Sequence, residues 1–179
     1  MNIFVLDEDP VKAAQAMDCV RVPKMVTESA QMMASGLRKH GATDEDFIKR
    51  GVLTKSNRPY KGGYHFHPCT VWTSVVRANF HWLADHAIQL CKEYTIRFGK
   101  THACEQPIKQ MADMCYIIPR FNPETSRREM TPFAQAMPDE YKDDDPVVAY
   151  RAYYMSKMDS PGGVHYRHTS PPDWWEVNA

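Results

Sequence analysis

Residues 64–99, YHFHPCTVWTSVVRANFHWLADHAIQLCKEYTIRFG, decide how this chain folds. Pro68 suits a first helical turn, and Gly99 suits the position just past a last one. Between them Trp72, Val76, Phe80, Leu83, Ala87, Leu90 and Tyr94 recur at three- and four-residue steps, the spacing of one buried helix face. The pattern predicts one continuous helix over 68–98 as the spine of the fold. Four of the eight histidines, His65, His67, His81 and His86, lie ahead of it or in its first half. Histidine titrates near neutrality and can ligate metal or hold phosphate, so the entrance to this helix is a candidate site.

Outward from the spine, punctuation marks the remaining elements. Asp9-Pro10 and Asp145-Pro146 each place a capping carboxylate before a proline, predicting short helices over 11–17 and 147–157. Pro23 opens a helix over 24–40 whose core stripe is Val26, Ala30, Met33, Ala34 and Leu37, stopped by Gly41. Residues 41–63 read as polar, glycine-punctuated loop, and 119–132 as turn-rich chain. A short helical piece falls near 108–115. Ile3-Phe4-Val5-Leu6 is a single strand or an extended arm, and residues 160–179 form a wrapping aromatic tail. The fold expected is mainly α: a compact bundle around one long central helix, spanning 1–179 as a single domain.

The 179 residues carry 43% hydrophobic and 25% charged side chains, the balance of an ordinary soluble globular domain. The opening residues resemble no signal peptide, and no run is long and apolar enough for a bilayer, so a cytoplasmic protein is expected, without a membrane partner. Five cysteines without a CxxC pair read as reduced thiols. Net charge is zero, which speaks against strong nonspecific nucleic-acid binding, yet a local phosphate-binding face is compatible with it.

Several residue sets carry chemistry, each with a plainer reading beside it. His65 and His67 can share one face of an extended segment, and His81 and Asp85 one face of a helix; together they suit a metal, or else pack and cap. Asp143, Asp144 and Asp145 can hold a metal or simply cap the following helix. Lys55, Arg58 and Lys61 surround Tyr60 on a basic loop suited to a phosphate backbone, or to solvent. Arg38 and Lys39 suit either phosphates or the end of a helix dipole. Tyr150, Tyr153, Tyr154, Trp174 and Trp175 can stack on bases or clasp the tail to the core. No P-loop, GxGxxG or GxSxG is present, and no cofactor is expected.

Several segments resemble a family of small proteins encoded by tailed phages: the opening MNIFVLD with Asp9-Pro10, the middle His67-Pro68-Cys69 with Trp72, and the run from Ala136 to Tyr154 (AMPDEYKDDDPVVAYRAYY). That family is distantly similar to the phage-type pyrimidine-dimer DNA glycosylase, endonuclease V. Arg21-Val22-Pro23-Lys24 resembles its Leu-Pro-Arg motif. Pro138-Asp139-Glu140-Tyr141 with Asp144, Pro146 and Ala149, and Pro172-Asp173-Trp174-Trp175, follow in the same order. The glycosylase uses a free N-terminal amine and a glutamate just before the Leu-Pro-Arg motif. Here the second residue is Asn2 and Arg21 stands at the glutamate's position. The resemblance therefore implies the fold and a nucleic-acid-facing surface, but not the chemistry.

The function expected is a phage-type DNA-binding protein in DNA repair or base modification, acting as a glycosylase-like enzyme if it is an enzyme. Arg21, Lys24, Arg38, Lys39, Lys55, Arg58 and Lys61 would hold phosphates, Trp174 would stack on a base, and His65 and His67 would form the polar, catalytic site. Two alternatives stay open: a non-catalytic protein that binds a host or phage protein, and a metal-dependent hydrolase built on the histidines.

Overall fold

The computed structural model describes residues 1–158 and 162–175. Seven α-helices are found there: α1 (Pro10–Gln15), α2 (Arg21–Lys39), α3 (Asp44–Arg50), α4 (Pro68–Val75), α5 (Arg77–Phe98), α6 (Glu105–Asp113) and α7 (Pro146–Met155). Among the described residues there is no strand, only one antiparallel bridge between Leu53 and Pro59. Helix α5 lies at the centre, packed against α1, α2, α4 and α6. A single apolar core reaches from Ile3 to Trp175. The fold is mainly α, as the periodicity required. No described helix is long and apolar enough to cross a membrane.

Local rules explain most boundaries. The Asp9 carboxylate accepts from the Val11 amide at 2.8 Å, and Asp145 does the same for Val147 at 2.8 Å, each just before a proline. Such caps contribute about 1 kcal/mol each. Gly99 ends α5 at φ 67°, the left-handed geometry that glycine adopts without strain. Residues 3–6 are a buried arm rather than a strand. The Asn2 side chain shapes it by accepting from the Ile3 and Phe4 amides at 2.8 and 3.0 Å. Phe4 takes φ 38°, a left-handed conformation costly for a bulky residue, and its ring is sealed between Tyr150, Tyr153 and Tyr154.

Three expectations are corrected. The helix predicted over 68–98 is two helices, because Val76 is extended (φ −147°, ψ 152°). The Arg77 amide turns to the Pro119 carbonyl at 2.8 Å. Buried Asn79 bridges the Trp72 carbonyl and the Thr131 hydroxyl, both at 2.7 Å. These tertiary bonds replace the helical ones the break removes. The loop expected over 41–63 contains α3, which opens with a capping box: Thr43 Oγ1 accepts from the Asp46 amide at 3.2 Å, and Asp46 accepts from the Thr43 amide at 2.8 Å. Helix α2 also starts at Arg21 rather than at Lys24. Its entry is held by Asp18, whose Oδ1 accepts from the Val20 amide at 2.7 Å.

Candidate functional site

The entrance to α4 is built on a close approach of two backbones. Gly62 sits at φ +76°, and a Cβ there would stand 2.4 Å from Ser35 Oγ and 2.9 Å from the Ser35 backbone, so only glycine fits. Beside it, the Gly63 amide donates to Ser35 Oγ at 2.8 Å. The loop is thereby pinned to α2. Residues 64–67 then form a turn closed by the His67 amide donating to the Tyr64 carbonyl at 2.9 Å. Tyr64 takes φ 52°, a strained value of the kind that concentrates at functional sites.

That turn aims its side chains into solvent. Phe66 is 96% exposed and Tyr64 68%, although both are aromatic. His65 and Phe66 share a cleft of about 400 Å³ with Arg38, Lys39, Thr70 and Ser74. Arg38 is held in place from three sides: Nε donates to the Tyr60 carbonyl at 2.7 Å, Nη2 pairs with Asp44 at 2.5 Å, and the guanidinium lies 4.5 Å over the Phe47 ring. Lys39 Nζ donates to Ser74 Oγ at 3.1 Å and stays exposed.

His67 faces the other way. Its Nδ1 accepts from the Cys69 amide at 3.3 Å, which caps α4 and leaves Nε2 as the open nitrogen. Burial and then the Met1 ammonium hold its pKa below the ordinary histidine range, against an opposing pull from Glu28. Glu28 was not expected at a site. It accepts from the Asn2 amide at 3.0 Å and lies 3.8 Å from the Met1 nitrogen and 3.7 Å from Lys24 Nζ. Its signal in the sequence was only positional. Lys24, Glu28, Gln31, Ser35 and Arg38 recur at steps of four and three, opposite the α2 core stripe, so they form one polar stripe along the helix. From Lys24 to Arg38 it runs about 21 Å at 1.5 Å per residue, and Lys39 adjoins its far end.

The remaining candidates lie apart from this stripe or are committed elsewhere. Arg21 begins the stripe but is turned inward: Nη1 meets buried Asp18 at 2.8 Å and the Gly163 carbonyl at 3.2 Å, with Tyr154 beneath the guanidinium. Lys55 and Arg58 are exposed at the tip of the small bridged loop, where the charge of Lys55 bears on His102. Lys61 is exposed beside Gly62. Trp174 lies elsewhere, half-buried under Arg151 at 4.9 Å and edge-on to Tyr154 at 6.4 Å. Trp175 is buried against Tyr154 and Tyr166, which makes the tail an aromatic clasp.

His81 and Asp85 are exposed on α5, while His86 is sealed inside it and stacked on Trp82 at 5.1 Å. Asp145 caps α7, and Asp143 accepts from the Asp145 amide at 2.9 Å. Among the described residues no three His, Cys, Asp or Glu side chains come together as metal ligands. All five cysteines are free, and burial pushes Cys69 and Cys91 up to about 12, so neither offers a thiolate at neutral pH.

Fold and site together define a mainly helical protein with an exposed aromatic turn beside a polar helix stripe. Comparison with known proteins returns no matching family model, no matching curated protein and no matching solved structure.

Proposed function

We propose that this is a DNA-binding protein of phage type, acting in DNA repair or base modification, with the α2 stripe and the 64–67 turn as its contact surface. The observation that carries the reading is the exposure of Phe66 and Tyr64 beside Arg38, Lys39 and His65. Water-exposed rings offer stacking faces to unpaired or everted bases, and stacking contributes about 1–3 kcal/mol per base. Adjacent cations hold phosphates and set the register of the duplex. Lys24 at the far end of the stripe, and Lys61 beside the turn, extend the same contact. The neutral overall charge makes the affinity modest and dependent on salt.

Glycosylase-like chemistry has one structural support. Where the Met1 nitrogen is a free amine, Glu28 stands beside it and His67 lies within their field, an amine and a carboxylate in one pocket. Borohydride trapping on damaged duplex DNA, read together with intact mass, tests this part. A covalent adduct at the mass of the full chain supports an amine nucleophile, and a free chain with no adduct removes it.

Binding itself is tested by fluorescence anisotropy with duplex and single-stranded oligonucleotides at low salt. Saturable binding that weakens when Phe66 becomes Ala is expected. No binding even at low salt would overturn the reading and leave the exposed turn as a docking surface for a host or phage protein.

A further inference from the structure

The segment that follows α6 carries two aromatic rings on the surface. Tyr116 is 55% exposed and Phe121 43%, and an arginine lies over each. Arg50, at the end of α3, stands 5.9 Å from the Tyr116 ring centre, and Arg128 stands 4.6 Å from that of Phe121. Exposed Arg120 falls between the two rings in sequence. The chain here is held in place. Arg77 Nη2 donates to the Tyr116 and Ile118 carbonyls at 2.9 and 3.1 Å. The Asn122 amide donates to the Arg127 carbonyl at 2.7 Å, closing a loop with Phe121 and Arg128 at its base.

Positive charge on this face exceeds its compensation. Among the described residues none of Arg50, Arg77, Arg120, Arg127 and Arg128 forms an ion pair. The carboxylates nearest to them in sequence along this segment are Asp113, Glu124 and Glu129, so five arginines stand against three. Glu124 and Glu129 line a separate cleft with Arg127, one that neither Phe121 nor Arg128 lines. On α3, the acidic residues Asp44, Glu45 and Asp46 lie in the first turn, away from Arg50 in the last. Trp174 is different, because the arginine over it, Arg151, lies 3.9 Å from Asp7.

This face adjoins the end of α2. Ile118 Cδ1 and Ser74 Cβ come within 3.8 and 3.7 Å of the place where a Cβ on Gly36 would stand. Lys39 Nζ and His40 Nε2 bond the Ser74 hydroxyl and carbonyl at 3.1 and 2.7 Å. The surface therefore runs from Phe66 and Lys39 past Arg77 to Tyr116 and Phe121. An exposed ring offers a stacking face, and a guanidinium laid on a ring adds a second planar face that also donates to phosphate. Bases in a closed duplex are stacked on one another, so rings in series suit a strand whose bases are free.

We propose that Tyr116 and Phe121, each with its arginine, form a track for an unpaired nucleic-acid strand that leaves a duplex held at the end of α2. The proposal rests on the nucleic-acid reading above and names the form of its substrate, a duplex with a single-stranded extension.

Fluorescence anisotropy of the full-length protein at constant low salt tests it. The probes are a blunt duplex, the same duplex with an oligothymidine overhang, free oligothymidine and free oligouridine. The overhang should tighten binding at least fivefold. The double change Tyr116→Ala with Phe121→Ala should erase that gain, whereas Phe121→Tyr, which keeps a ring, should preserve it. Thermal melts check that the variants fold. Tighter binding of oligothymidine assigns the track to DNA, and equal or tighter binding of oligouridine assigns it to RNA. An overhang that adds nothing, or a gain that survives the double alanine change, overturns the proposal and leaves the duplex reading standing. Polyglutamate that competes as well as oligothymidine also overturns it, because charge alone would then be read. Absence of binding to every probe overturns both readings.

Discussion

His67 and His86 sit in the same stretch of sequence and belong to two different regions of the molecule. His67 stands where the chain enters α4, half-buried, with Nδ1 capping the helix and Nε2 open, and the charges of the Met1 ammonium and Glu28 both bear on it. His86 is enclosed in α5 with neither ring nitrogen partnered, and burial pushes its pKa down to about 3. Around His67 the polar groups of α2 and the exposed turn have solvent, partners and room for a ligand. Around His86 there is only packing. The difference teaches that a histidine-rich stretch divides by burial: its first part can do chemistry, and its second sets stability and pH response.

The interior carries the largest predicted effect. The Arg97 side chain is fully buried, with Nε and Nη2 on Glu93 at 3.1 and 2.8 Å and further bonds to the Met17 and Gln15 carbonyls. Arg97→Ala leaves buried Glu93 without a counter-charge, its hydrogen bond from Gln89 alone remaining, so urea denaturation should show a loss of about 3–5 kcal/mol. A loss under 1 kcal/mol would mean that this end of α5 is wetter than its burial indicates.

His86 gives the next effect, and its sign is set by linkage. Its folded pKa lies below the ordinary 6.5, so its contribution is fully present above pH 6.5 and is lost as pH falls toward about 3. Two units below 6.5, at pH 4.5, the loss is about 2–3 kcal/mol. His86→Phe, which keeps the stack on Trp82, should remove that part of the acid sensitivity. Identical pH profiles for the variant and wild type would show that His86 does not stay neutral in the fold.

On the surface side, Gly62→Ala should cost about 1–3 kcal/mol, because its Cβ meets Ser35 in a left-handed conformation. The same change should unpin the turn and reduce DNA affinity. Unaltered affinity would separate the turn from the site. Phe66→Ala should do the reverse of the interior changes, leaving stability within about 0.5 kcal/mol while lowering DNA affinity at least fivefold.

How much of this was legible follows from where each signal lies. Asp9-Pro10, Asp145-Pro146 and Gly99 carry their structure locally, and each appears where its chemistry places it. Thr43 and Asp46 carried an equally local signal for α3, overlooked among glycines and polar residues. The break at Val76 had none, because the groups that stabilise it, Pro119 and Thr131, are more than forty residues away. The site divides in the same way. His65 and His67 at the helix entrance could be read directly. Their meeting with Arg38, Lys39 and Glu28 depends on Gly62 packing onto Ser35 and on the arm folding back to α2. Trp174 reads as a stacking platform in the sequence, which does not reveal that the Arg151 guanidinium lies over its ring and Tyr154 meets it edge-on.

The central claim is that the α2 stripe and its neighbouring turn contact DNA phosphates. The salt dependence of duplex affinity, measured by anisotropy for wild type and Lys39→Gln, tests it most directly. Each phosphate contact contributes about one to the slope of log affinity against log salt. A falling line is expected for wild type, with a slope shallower by about one for the variant. A flat wild-type line, or two lines of equal slope and position, would contradict it.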